Sequence, residues 1–207
     1  GLLARTGRYQ TFRLLMDLLQ DKNVKVRKAA LIAAGKIKRH ELWTQIIDHL
    51  QHPQYSNEAF AAIEEIGKPI LKELDMFFGK ITENKEIQIR IIKLYEKIGG
   101  AEATELLKNK INHHDKEIRY RVLLALSHLE YRANLNETAS IKQSISEEIS
   151  IIIWLIASIN DIGNSDDVEG LRTALNYELT KKRENIFLLL SLIYDPKIIK
   201  HIREKIE

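Results

Sequence analysis

Cysteine is absent from the 207 residues, which removes disulfide frameworks, thiolate zinc sites and cysteine nucleophiles at once. Proline occurs three times and glycine nine times, too few for the many tight turns of an all-β sandwich or barrel. No stretch reaches the roughly 20 apolar residues that cross a bilayer. The longest charge-free runs are Ile149 to Asn160 and Asn185 to Tyr194, and neither follows the basic leader of a signal peptide. What remains, 44 % hydrophobic and 29 % charged residues, is the composition of an ordinary globular chain with material for a sizeable core. The chain opens on Gly1 and closes on Glu207 within an apolar-periodic stretch, which predicts a piece of a longer polypeptide.

The motifs of catalysis are missing too. There is no glycine-rich phosphate loop, no GxSxG elbow and no HExxH pair, each of which places a group that the chemistry requires. The carboxylate pairs Glu64-Glu65, Glu147-Glu148 and Asp166-Asp167 are sequence neighbours, which diverge on a helix and so make poor acid–base partners. Asp48, His49 and His52 bring a carboxylate and two imidazoles close together, but a metal would need a further ligand from elsewhere. The expectation is a non-enzyme with no catalytic, cofactor or metal site.

Internal repetition is the strongest signal that is present. Asp21-Lys-Asn-Val-Lys-Val-Arg27, His52 to Glu58, Asn84-Lys-Glu-Ile-Gln-Ile-Arg90 and Asp115-Lys-Glu-Ile-Arg-Tyr-Arg121 share one grammar and start 31, 32 and 31 positions apart. A polar residue able to cap a helix leads, an apolar residue follows three later (Val24, Tyr55, Ile87, Ile118), and Arg comes six later in three of the four. Ile32, Ile63, Tyr95 and Leu126, then Gly35, Ile66, Ile98 and Leu129, continue each stripe at helical spacing, so each set is expected on a buried helix face. A second apolar-periodic stretch precedes each anchor: Phe12 to Leu19, Leu42 to Leu50, Ile70 to Ile81 and Ala103 to Ile111. The units are therefore helix–turn–helix, and a hairpin of that size needs neighbours to cover its apolar face.

After Tyr131 the repeat stops. Ile141, Ile145, Ile149, Ile152, Ile156 and Ile159 predict one long helix from about Asn136 to Asp161. Gly163 ends it, and Ser165 with Asp166 and Asp167 opens the next. Leu171 to Leu179 and Asn185 to Tyr194 are expected as two helices joined around Lys181-Lys182-Arg183, with Asp195-Pro196 starting a last one. The fold class is all-α: a right-handed α-solenoid of helix pairs over residues 1–134, and a long helix plus helical hairpin over 135–207 that caps and continues it.

Charge is distributed unevenly. Residues 1–39 carry Arg5, Arg8, Arg13, Lys22, Lys25, Arg27, Lys28, Lys36, Lys38 and Arg39 against Asp17 and Asp21, a balance of +8, whereas residues 135–170 balance at −6. A solvated face on an end repeat is the plain explanation. A basic first repeat also suits anionic headgroups, at about 1 kcal/mol per well-placed cation, or phosphates of nucleic acid. Arg5, Arg8, Arg13, Lys25, Lys28, Lys36, Lys38 and Arg39 are the candidate surface and partner-binding residues.

The repeated segments resemble HEAT repeats, the armadillo-like helical class with Asp in the internal turn and Val-Arg opening the second helix. Val26-Arg27 before Ala29-Ala30 matches best, then Ile89-Arg90 and Tyr120-Arg121, while Asn57-Glu58 departs from the pattern. The resemblance covers Arg13 to Tyr131. It implies an inter-repeat ladder in which Asp21, Arg27, Asn84, Arg90, Asp115 and Arg121 are structural, with the rung at Glu58 in question. Ala33 to Trp43, Ile98-Gly-Gly100 and Ile186 to Pro196 further resemble the HEAT region of bacterial ATP/ADP-carrier-like membrane proteins. That likeness implies a cytoplasmic regulatory scaffold tethered to the inner membrane through a transporter domain of the same polypeptide. Its partners would be a protein or peptide on the concave face and an anionic membrane surface. The alternative is a free cytosolic HEAT-repeat adaptor. HEAT-like DNA glycosylases are a further alternative, but Trp43 and Trp154 are far apart in repeat order and the middle of the chain is acidic, so nucleic acid is not the expected partner.

Overall fold

The structure, a computed structural model, describes residues 12–163 and 166–206. Among the described residues all regular structure is helical and no strand occurs, so the chain is all-α. Contacts divide it into two compact units, Gly1–Arg121 and Val122–Glu207, with the division falling inside a helix.

In the first unit, α1 covers described residues 12–18. It is followed by α2 (Val24–Ile37), α3 (Trp43–Asp48), α4 (Ser56–Ile66), α5 (Leu71–Lys80), α6 (Lys85–Ile98), α7 (Gly100–Lys108) and the start of α8 (Lys116–His128). The expected hairpins are these consecutive pairs. Three of the four second helices start on side-chain caps, whereas α4 begins after Tyr55 with no side-chain cap, so the polar lead residue His52 does not fill that role. Asn84 accepts the Ile87 N–H at 3.2 Å, and Asp115 accepts those of Glu117 and Ile118 at 2.9 and 3.1 Å, so donors left over at a helix start find partners. In the first pair the cap is Asn23, while Asp21 accepts the Asn23 N–H one turn earlier. Gly99, at φ +62°, joins α6 to α7 in a single residue, a conformation that costs glycine little.

Helices contact their second neighbours along the chain: α2 packs on α4 and α4 on α6, while α3 packs on α5 and α5 on α7. Leu19, Leu31, Leu42, Ile46, Ile63 and Leu74 are fully enclosed, each contributing about 1.5–3 kcal/mol on leaving water. Tyr55, Ile87 and Ile118 occupy the expected buried position. Val24 does not: it is 39 % exposed, and Ile32 is 48 % exposed. The reason is visible in α2, whose buried residues are Ala30, Leu31, Ala34 and Gly35. A Cβ added to Gly35 would lie 2.7 Å from the Ala62 Cα. Small residues let α2 and α4 approach closely along that line; Ile32 lies off it and faces outward, whereas Val24, a heptad before Leu31 on the buried line, is part-exposed as the first residue of the helix.

In the second unit the end of α8 leads through 129–134 into α9 (Leu135–Ile162), α10 (Glu169–Ile193) and α11 (Pro196–Ile206). Asn134 and Glu137 form a capping box at the start of α9, satisfying two helix-end donors reciprocally. The Arg132 guanidinium donates to the Ser191 and Tyr194 carbonyls at the end of α10, where the helix dipole favours a cation. Packing runs α9 on α10 and α10 on α11. The expectation of two helices separated at 181–183 is corrected: α10 is continuous over 25 residues. The charged triplet contains no helix breaker, and the buried Lys182 ammonium meets the Glu148 carboxylate of α9 at 2.7 Å. Residue 165, expected with Asp166 and Asp167 to start the next helix, lies outside the described residues.

Candidate interaction surface

The second helices of successive pairs carry the charges that face one another across the repeats of the first unit. Lys28 on α2 meets Glu58 on α4 at 2.8 Å, and Lys38, just past α2, approaches Glu65 at 3.7 Å. Glu64 on α4 meets Lys97 on α6 at 2.9 Å. Lys85 at the start of α6 reaches Asp115 at 3.1 Å and Glu117 at 3.4 Å. The supplied sign alternates, positive from α2, negative from α4, positive from α6 and negative from α8. Glu58, where Arg would be expected, thus makes a rung of reversed polarity with Lys28. The hydrogen bond from Lys28 holds the Glu58 carboxyl below the usual carboxylate range, and the one that Lys85 donates to Asp115 holds the Lys85 ammonium above its usual value. Exposed pairs of this kind contribute about 0.2–1 kcal/mol each, so they set the register of neighbours more than they set stability.

The residues named from the family pattern divide between two jobs. Arg27 donates to the Asp21 and Gln20 carbonyls at 2.9 and 3.0 Å, closing its own hairpin turn, and its guanidinium lies 4.8 Å from the Tyr55 ring centre in the next pair. Arg90 reaches back to the Asn57 side chain at 2.7 Å and lies over Phe60. Arg121 approaches Glu117 of its own helix at 3.8 Å. In that pair it is Arg119 that closes the turn, donating to the His113 carbonyl at 2.8 Å. The rungs through Lys28, Lys38, Lys85 and Lys97 escaped the motif reading. Their signal was opposite charge at a separation of about one repeat.

Of the basic candidates, Arg5 and Arg8 lie outside the described residues. Lys28 and Lys38 turn toward α4 acids, and the Arg39 guanidinium lies 5.7 Å from the Phe12 ring centre. Arg13, Lys25 and Lys36 are exposed, which leaves their ammonium and guanidinium groups facing water around the first pair.

A buried polar cluster was not foreseen. Lys110, 9 % exposed, donates to Asp75 at 2.5 Å and to the Leu106 carbonyl at 3.2 Å. Its ammonium lies 4.7 Å from the Phe78 ring centre and 5.4 Å from that of Tyr95, and the Tyr95 hydroxyl donates to Asp75 at 3.0 Å. Burial, with the Asp75 charge beside it, pushes the Tyr95 phenol far up, so it remains a donor at any ordinary pH. The arrangement bolts α5 to α6 and to the end of α7, and it contains no group poised as a nucleophile. Nearby, His113 accepts the Asp115 N–H through Nδ1 at 3.2 Å, packs edge-on to Phe78 and lies against His114 with ring centres 4.2 Å apart.

The first helices leave an open groove of about 390 Å³ between α3 and α5, lined by Ile47, Asp48, Glu73, Met76, Phe77 and Lys80 among others. His49 donates from Nδ1 to the Gln45 carbonyl at 2.6 Å and sets its ring against His52 and Tyr55. Among the described residues no three His, Asp or Glu side chains converge as a metal set, and no helix is long and apolar enough to cross a membrane.

Neither a family model nor a curated protein matches the chain. Among solved structures, an engineered protein aligns over 87 % of this chain and 79 % of its own, at 15 % identity and a TM-score of 0.37, too loose a likeness to carry an argument about fold or function.

Proposed function

We propose that the chain is a non-catalytic interaction scaffold of the HEAT-like α-solenoid type. The observation that carries this reading is the second-neighbour packing of the first unit, with first helices on first helices and second helices on second helices. Repetition of that kind makes extended surfaces by stacking, and function on such surfaces comes from what is displayed. The alternating rungs pair opposite charges and leave few lysines free along them, which disfavours a continuous phosphate track and favours a peptide or protein partner. The sequence likeness to carrier-linked HEAT regions extends the proposal to a cytoplasm-facing regulatory region of a nucleotide-transporter-like membrane protein. There the exposed Arg13, Lys25 and Lys36 would rest against anionic headgroups, in keeping with the excess of cations on cytoplasmic segments near membranes.

Flotation with anionic and with neutral vesicles tests the membrane part. Binding to anionic vesicles at low salt is expected, with release at high salt and loss in the Arg13→Glu, Lys25→Glu, Lys36→Glu triple variant. Absence of binding at low salt, or binding indifferent to salt, overturns it and leaves a free adaptor of the same architecture. A shift of labelled duplex DNA with a slope in log salt would replace the scaffold reading by a nucleic-acid one.

A further inference from the structure

We propose that copies of this chain associate through the second unit, with the basic apolar face of α11 in one copy docking on the acidic-rimmed apolar face of α9 in another. The starting point is a mismatch between the sequence of α9 and its packing. From Ile149 to Ile156 apolar side chains point in every direction around the helix, since seven of these eight residues are Ile, Trp or Leu and successive positions turn by about 100°. A helix apolar all round is normally enclosed on all sides. Yet the buried residues of α9 are only Ile141 and Leu155, on the side that packs against α10. Ile153 is 63 % exposed and Trp154 64 %, with Ile149 and Ile156 also exposed.

Charge says what covers this face. Glu147 and Asp161 stand one heptad on either side of Trp154, on its line along the helix, and both are exposed. Of the other charges on α9 near this face, Glu148 is taken up by Lys182 and Lys142 is exposed one heptad before Ile149, so the acidic edge is the Trp154 line. A second α9 would bring like charges together, so an α9–α9 contact is disfavoured.

The chain itself carries the complementary element. On α11, Ile198 and Ile202 are exposed one turn apart and are flanked by exposed Lys197, His201 and Lys205. The opposite side is already engaged, with Ile199 buried and Arg203 reaching Glu184 of α10 at 3.6 Å. The lengths agree as well. Eleven residues of α11 span about 16 Å, and the interval from Glu147 to Asp161 spans about 21 Å, so the docked helix fits between the acids with its cations toward them. An amphipathic helix on an apolar strip is a common recognition mode. The contact is either made twice across a two-fold axis, giving a closed dimer, or made once per pair of copies, closing into a ring or growing as a chain according to the rotation between them.

Sedimentation of the whole chain from low to high micromolar at low salt tests this. The weight-average mass is expected to rise above that of one chain, and less so at high salt. Ile153→Glu and Ile198→Glu should each sediment as monomers with parental helical circular dichroism. Mixed in equal amounts, they should recover a species of two chains, because one supplies an intact α11 and the other an intact α9. If Ile153→Glu loses its helical signal, the paired change Glu147→Lys, Asp161→Lys serves as the α9 variant. A parent that is monomeric at every concentration, either variant alone associating like the parent, or a mixture that stays monomeric overturns the proposal.

Discussion

Gly35→Ala should destabilise this chain, although in an ordinary helix interior the same change is favourable by about 1 kcal/mol. Position 35 lies in α2 with its backbone against α4. The new methyl would sit 2.7 Å from the Ala62 Cα and 3.0 Å from both the Ala62 Cβ and its carbonyl oxygen. Two of these three atoms are backbone, so a rotamer change cannot relieve the overlap and α2 must move away from α4. Overfilling a packed interior costs about 1–3 kcal/mol, and after the helix-propensity gain of about 1 kcal/mol the net loss is up to roughly 2 kcal/mol. Gly79→Ala supplies the control, because in α5 no atom lies within 4 Å of the added methyl. That variant should gain about 0.4–1 kcal/mol through helix propensity and a stiffer unfolded chain. Urea unfolding followed by helical circular dichroism reads both. The midpoints should move in opposite directions with unchanged slope. If Gly35→Ala stabilises as much as Gly79→Ala, the close seam between α2 and α4 is refuted, and with it the explanation of why Ile32 faces outward.

The remaining predictions concern charge. Asp75→Ala strands the Lys110 ammonium among Phe78 and Tyr95 and should cost about 2–3 kcal/mol by urea unfolding, below a fully buried pair because Asp75 is partly exposed; Lys110→Met keeps the aromatic contacts and should cost clearly less. Burial lowers the His113 pKa, with His114, Arg119 and Lys110 acting in the same direction and Asp115 against them. The unfolded chain therefore binds the proton more readily, and stability should fall as pH drops through the ordinary histidine range; in His113→Asn that part of the pH profile should flatten, and an unchanged profile would exclude this residue as its source. Glu58 has a lowered pKa, so its contribution is present above the ordinary glutamate value and is lost as pH falls through the folded one. Glu58→Gln should cost up to about 1 kcal/mol at neutral pH and low salt, and its difference from the parent should vanish in acid and in molar salt.

Much of the architecture was legible because helix hairpins are specified locally. Caps such as Asn84 and Asp115 sit where their side chains meet the leading N–H groups of the same helix, and apolar residues at 3.6 spacing mark the face to be covered. The long α9 was readable from its isoleucine line for the same reason. The triplet at 181–183 misled because a run of charge resembles a loop when its partner is unknown; Glu148, 34 positions away, makes Lys182 an interior residue. The polar cluster of Asp75, Tyr95 and Lys110 left no local signature at all, since its members come from three helices and each alone looks like a surface or core residue.

The sequence by itself determined that the chain is helical, that its first part repeats with a period near 31 residues, and where helices capped by residues such as Asn84 and Asp115 start, because these depend on neighbours a few residues away. Only the tertiary structure decided how far α2 rotates about its axis and which lysine meets which carboxylate. Rotation and pairing are properties of the surface a helix rests on, and for α2 that surface is the backbone of Ala62, a residue 27 positions further along the chain.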